Sequence, residues 1–157
     1  AEREMARGLG IDKSRAALFI ARLNAHRLDL RNRVAFRLGD WLVGEALRAD
    51  MIVANPPYIE SAEIARLGKA VRLYDPLGAL DGGADGLTAY RRLIAPAFVR
   101  LKNGGHLILE IDATKAAAVT RLMQEAGFEE ILLRQDLAGR DRILLGQKNA
   151  RKNKKGV

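Results

Sequence analysis

Chemistry is first legible at Asn55-Pro56-Pro57-Tyr58, which directly follows the apolar run Met51-Ile52-Val53-Ala54. That run reads as a short buried strand, so the tetrapeptide is a turn at a strand's end. Each proline fixes φ at about −65° and lacks an N–H, and Pro56 keeps Asn55 out of the helical region. In so rigid a turn the Asn55 side-chain oxygen and the Pro56 carbonyl can converge as acceptors on one planar NH2 group. Tyr58 adds an apolar face and a hydroxyl. The arrangement suits an amide or amino nitrogen that must be held still. The plainer alternative is a strand-terminating turn, since Asn and Pro are ordinary turn residues.

Two further stretches share this placement. Gly8-Leu9-Gly10-Ile11 reads as a strand ending at Asp12, and Val34-Ala35-Phe36-Arg37-Leu38 as a strand ending in Gly39-Asp40-Trp41. Between them Ser14 is suited to cap a helix over Arg15 to His26, with Ala17, Leu18, Ala21, Leu23 and Ala25 as its core-facing stripe. Residues 60 to 86 show few regular signals, and a connection of that length tends to be a lid or binding loop. A helix is expected over Leu87 to Leu101 despite Pro96, then a turn at Lys102-Asn103-Gly104-Gly105 and a strand from His106 to Ile111. Thr114 to Ala126 reads as a helix closed by Gly127. Glu129 to Arg134 and Arg142 to Gly146 read as a final antiparallel pair. Strands alternating with helices predict an α/β fold with a mostly parallel sheet covered on both faces. Functional sites in such sheets lie beyond the carboxyl ends of the strands. Asp12, Asp40-Trp41 and Asn55 are therefore expected to converge on one crevice.

Composition narrows the classes. With 48% hydrophobic residues in 157, the chain can bury one core, and one domain over residues 1–149 is the expectation. No apolar run reaches the roughly 20 residues of a membrane span, and Ala1-Glu2-Arg3-Glu4 does not open like a secretory leader. The absence of cysteine excludes disulfides, thiolate nucleophiles and cysteine-ligated metals, which fits a cytoplasmic setting. With only His26 and His106 as imidazoles, no metal site is expected. The formal charge of +8 favours an anionic partner. Four of those cations lie in the basic tail at 150–157, which reads as a disordered extension.

Asn-Pro-Pro-Tyr resembles the signature of S-adenosylmethionine-dependent methyltransferases that act on nitrogens conjugated to a π-system: the amino groups of adenine and cytosine, or the side-chain amide of glutamine. The resemblance extends through Ile59-Glu60, Val71-Arg72-Leu73-Tyr74-Asp75-Pro76, Ala79 to Leu87 and Tyr90-Arg91-Arg92. Gly104-Gly105-His106-Leu107-Ile108-Leu109-Glu110-Ile111 and Asp136 to Arg142 continue it. Together these segments resemble the release-factor glutamine methyltransferases, the HemK/PrmC family. The resemblance implies a Rossmann-like class I methyltransferase sheet, mostly parallel with a C-terminal antiparallel hairpin. It also implies that the first strand and the glycine-rich loop are missing, because nothing like them precedes Gly8 and the chain looks N-terminally truncated. The Gly8/Gly10 pair lacks the dinucleotide-loop spacing, and Gly82-Gly83-Ala84-Asp85-Gly86 does not follow a strand. In family topology the absent strand lies in mid-sheet, so its loss would expose two inner edges.

Residue roles follow from the same resemblance. Asp12 is suited to accept from both ribose hydroxyls of the cofactor, the alternative being a cap on the next helix. Asp40 and Trp41 resemble an adenine pocket, with a core anchor as the alternative for Trp41. Asn55, Pro56, Pro57 and Tyr58 would hold the glutamine amide, Asn55 also bordering the cofactor, with a structural role as the alternative for Tyr58. Glu110 fits a site acid, with a helix cap or a salt-bridge partner as the alternatives; Arg72 and Asp75-Pro76 fit a loop staple, with contact to the protein substrate as the alternative; and Arg140, Asp141 and Arg142 fit mutual charge pairing. The implied reaction is N5-methylation of the glutamine in the Gly-Gly-Gln motif of a peptide-chain release factor, leaving S-adenosylhomocysteine. Two other functions stay open: an amino-methyltransferase on adenine or cytosine of DNA or RNA, and an inactive fragment lacking the cofactor loop.

Overall fold

The computed structural model describes residues 5–44, 46–69, 71 and 75–149. The basic tail, Arg72, Leu73 and Tyr74 lie outside the described residues. The chain divides into two compact units, Ala1–Glu45 and Ala46–Val157.

The first unit is a βαβ element: β1 Gly8–Asp12, α1 Arg15–Arg27 and β2 Val34–Leu38. β1 and β2 pair in parallel, from Gly8 opposite Val34 to Asp12 opposite Leu38. The Ser14 hydroxyl accepts the Ala17 N–H and caps α1 as its sequence predicts. Leu18 and Ala25, two turns apart, are buried, and Ala21 between them is half-buried. Ala17 and Leu23 of the expected stripe are exposed instead. At ~100° per residue Leu23 lies opposite the line through residues 18, 21 and 25, whereas Ala17 lies at its edge, one turn before Ala21.

The second unit runs β3 Ala49–Ala54, α2 Ser61–Ile64, α3 Leu77–Leu80, α4 Thr88–Arg100, β4 Leu101–Glu110, a 3-10 turn Ala113–Lys115, α5 Ala116–Ala126, β5 Glu129–Gln135 and β6 Asp141–Gln147. Its sheet has the order β3-β4-β6-β5. β3 and β4 are parallel, and β6 runs antiparallel to both β4 and β5. The predicted Lys102 to Gly105 turn proves to lie within β4. Ala49 pairs with Leu101 and Met51 with His106, so the register jumps there. The Gly104 N–H donates to the Lys148 carbonyl at 2.7 Å and the Lys148 N–H to the Gly105 carbonyl at 2.8 Å. Distant backbone thus completes a ladder that the local sequence could not announce.

The core of this unit follows the helical period. Tyr90, Leu93, Ile94 and Ala97 of α4 are buried, as are Leu101, Leu107 and Leu109 of β4, Val119 and Met123 of α5, and Leu144 of β6. Burying one such leucine stabilises by ~1.5–3 kcal/mol. Pro96 is accommodated inside α4, where it removes one backbone donor. At the end of that helix Lys148 donates through Nζ to the carbonyls of Phe98 at 2.7 Å and Leu101 at 2.9 Å, and lies over the Phe98 ring. No helix among the described residues is long and apolar enough to cross a membrane.

Candidate functional site

The second unit delivers Asn55-Pro56-Pro57-Tyr58 from the end of β3, where Ala54 pairs with Leu109 of β4. The tetrapeptide therefore sits beside Glu110, at the carboxyl ends of two parallel neighbours. Asn55 is exposed, Pro56 is buried, and Pro57 and Tyr58 are half-buried. Buried Tyr90 supports this end of the sheet by donating its hydroxyl to the Glu110 carbonyl at 2.9 Å. Burial pushes the Tyr90 phenol well above its usual range, with the Tyr58 phenol and the carboxyls of Glu110 and Asp112 adding to the shift. The helix cap after β4 is Asp112, which accepts the Thr114 N–H, rather than Glu110.

A second strip of backbone braces the turn from behind. The Ile59 N–H donates to the Leu80 carbonyl at 3.2 Å, and the Gly82 N–H to the Ile59 carbonyl at 2.8 Å. The Asp81 carboxylate accepts the Ser61 hydroxyl at 2.7 Å and the Gly83 N–H at 2.8 Å, and these two bonds hold its pKa below the ordinary value. Gly82 and Gly86 are required by closeness. A Cβ at Gly82 would lie 2.8 Å from the Pro57 carbonyl oxygen, and one at Gly86, where φ is 72°, 2.3 Å from that of Tyr58. The glycines of residues 82–86 thus serve the Tyr58 turn. Asp85 fixes the exit into α4 by accepting both Arg91 guanidinium nitrogens, at 3.0 and 2.6 Å.

Glu60, two residues past Tyr58, forms an ion pair with Lys115 of the 3-10 turn that follows β4. The Lys115 side chain is 18% exposed, and its Cε would lie 3.0 Å from a Cβ at Gly86. The lysine stem therefore lies along the same bracing strip. Asp75 lines an open cavity of about 550 Å³ with Ser61, Leu77 and Leu80. The expected mutual pairing of Arg140, Asp141 and Arg142 is replaced. Arg142 faces Asp136 at 3.7 Å, and Asp141 accepts from Gln135 at 3.2 Å.

In the first unit the structure brings Asp12, Asp40 and Trp41 to one end of the parallel pair. The Gly39 N–H donates to the Asp12 carbonyl at 3.1 Å, so the two strand ends are joined directly. Asp12 is exposed, and its Oδ1 accepts the Ser14 N–H at 2.7 Å, so the helix-entry role is real and occupies one oxygen. Asp40 is exposed and Trp41 half-buried. Trp41 has φ of 54°, a left-handed conformation that costs a bulky residue about 1–2 kcal/mol.

The strand ends are legible in the sequence, whereas the contacts that steady them are not. Lys115 and Glu60 are 55 residues apart, with no local signal linking them. The glycines at 82 and 86 were visible, and their close spacing was the available sign of backbone contact.

The comparisons with known proteins agree with this architecture. No family model matches the chain. A protein of Caulobacter vibrioides named release factor glutamine methyltransferase is 48% identical over 151 residues, covering 95% of this chain and 52% of that protein. One of the same name from Cereibacter sphaeroides is 44% identical over 144 residues, covering 92% and 52%. The chain spans about half the length of the curated relatives it matches. Among solved structures, a SAM-dependent O-methyltransferase of Thermotoga maritima superposes with a TM-score of 0.67 at 13% identity, over 94% of this chain and 51% of that one. The fold is that of class I methyltransferases, with a parallel portion and a C-terminal antiparallel hairpin. By sequence the chain is a relative of the release factor glutamine methyltransferases, as its motifs imply.

Proposed function

We propose, from similarity over 95% of its own length to a release factor glutamine methyltransferase, that this chain carries the amide-holding part and the ribose- and adenine-holding part of a protein-glutamine N5-methyltransferase. The observation that carries the reading is the 48% identity over 151 residues, with Asn55-Pro56-Pro57-Tyr58 at the end of β3. The substrate is the glutamine of a Gly-Gly-Gln motif in a peptide-chain release factor, and the setting is cytoplasmic. The names of the relatives favour this amide over the amino group of a nucleic-acid base.

The residues at the ends of β1 and β2 fit the cofactor's polar end groups. Asp12 and Asp40 offer exposed carboxylates, and Trp41 offers a partly exposed flat ring. In this reading Asp12 accepts from the ribose hydroxyls, Asp40 accepts from the adenine amino group, and Trp41 packs on the base. Bound S-adenosylmethionine supplies an electrophilic methyl group on a sulfonium.

An amide nitrogen is a weak nucleophile because its lone pair is delocalised into the carbonyl. Positioning therefore carries much of the rate. Asn55 and the Pro56 carbonyl accept the two N–H bonds of the glutamine amide and fix its plane. The same acceptors stabilise positive charge that develops on the nitrogen, an electrostatic counterpart of an oxyanion hole. Tyr58 packs along the amide, and the proton leaves to solvent afterwards.

Calorimetric titration with S-adenosylhomocysteine tests the cofactor assignment. Saturable binding is expected, weakened about tenfold by Trp41→Ala, as loss of ~1.4 kcal/mol of ring contact would give. A folded chain that binds none, or binds equally well without the indole, contradicts it.

A further inference from the structure

We propose that Lys115 is a positioning residue for the amide site, acting through Glu60 and the backbone around Gly86 to hold the exit of the Asn55-to-Tyr58 turn. The inference rests on the functional reading above and extends it to a residue outside the tetrapeptide. Two observations carry it. The Lys115 ammonium pairs with Glu60, tying the segment after Tyr58 to the 3-10 turn after β4. Its stem runs beside Gly86, where there is no room for a Cβ between the lysine and the Tyr58 carbonyl.

The turn's prolines fix its start, but they do not fix where Tyr58 and the following backbone lie. Those positions are set from outside. On one side the Ile59 and Gly82 backbones hydrogen-bond with the strip at residues 80–82. On the other side Lys115 is the described side chain that bridges to Glu60 from beyond β4. The Lys115 side chain is 18% exposed and that of Glu60 38% exposed, so water competes for the pair less at the lysine end than it does for a fully exposed ion pair. Because a small displacement of a bound nucleophile costs much rate, a residue that fixes this exit affects turnover without touching substrate.

The test combines backbone hydrogen exchange with kinetics in the full chain carrying Lys115→Met, Lys115→Arg, Glu60→Gln, and Lys115→Met with Glu60→Gln. Exchange at the Ile59, Ser61 and Gly82 amides is expected to quicken about fivefold or more in each charge-removing variant, with no further gain in the double variant. Lys115→Arg restores slow exchange, and the β6 amides stay unchanged. With a peptide containing Gly-Gly-Gln, Lys115→Met lowers kcat about tenfold or more while affinity for S-adenosylhomocysteine stays within about twofold. Unchanged exchange at these amides, fully additive variants, or an equal loss of S-adenosylhomocysteine binding overturns the role of Lys115. Absence of methyl transfer by the unsubstituted chain overturns the functional reading, and the exchange coupling still decides whether Lys115 holds the turn. If Lys115→Met fails to fold, Glu60→Gln and Lys115→Arg carry the same comparison.

Discussion

A side chain at Gly86 would run into the carbonyl oxygen of Tyr58: the Cβ position lies 2.3 Å from it, at a φ of 72°. The pair joins the strip at residues 82–86 to the tetrapeptide that ends β3. Gly86→Ala is therefore expected to destabilise the chain by ~1–3 kcal/mol, from backbone strain and overpacking together. A denaturant midpoint that falls with an unchanged slope would check this. An alanine accepted without loss would mean that the strip does not press on the turn.

Tyr90 supplies a pH prediction. Its folded pKa is raised above the ordinary 10.0, chiefly by burial, so the folded state disfavours the phenolate. That contribution to stability is intact below pH 10 and is lost as pH rises past the unfolded value. Tyr90→Phe should cost about 0.5–1.5 kcal/mol at neutral pH by removing the donor to Glu110. Its alkaline decline should be shallower than that of the unsubstituted chain. Thermal melts between neutral pH and the alkaline range measure both effects, and parallel alkaline profiles would contradict the burial argument.

Asp85 behaves in the opposite sense. The Arg91 guanidinium, with help from the Leu87 N–H, lowers its carboxyl from 3.8 to about 2. The stabilisation it gives is present above the unfolded value of 3.8 and disappears as pH falls toward 2. The difference in melting temperature between the unsubstituted chain and Arg91→Met should therefore shrink across that interval. Both side chains are about half exposed, so salt should shrink it as well. A difference that persists unchanged at pH 2 would assign the effect to packing of the arginine stem.

Strand ends and caps were legible because their causes are local. An apolar run followed by an acid or Asn-Pro marks β1 and β3, and Ser14 announces α1 through its own hydroxyl. Pro96 did not mislead, because the apolar period on both sides of it outlasts one missing hydrogen bond. What escaped was set at a distance. Residues 102–105 look like a turn until Lys148 arrives to pair with them. Leu23 looks like core until the direction of α1 is fixed by β1 and β2. Asp136, not Asp141, proved to be the acid facing Arg142, because the hairpin connection folds back. The acceptors of the candidate site were readable as residue types, whereas the Gly86 strip and Lys115 that steady them depend on contacts between segments far apart in the chain.

The most direct measurement is methyl transfer itself, with isotopically labelled S-adenosylmethionine, the chain, and a release factor containing Gly-Gly-Gln, followed by fragmentation mass spectrometry of the products. One labelled methyl is expected on the side-chain nitrogen of that glutamine, with a loss of about 10²-fold or more on Asn55→Ala, since the acceptor that orients the amide is gone. Label appearing on an added oligonucleotide but not on the glutamine, or transfer that is indifferent to Asn55→Ala, would contradict it.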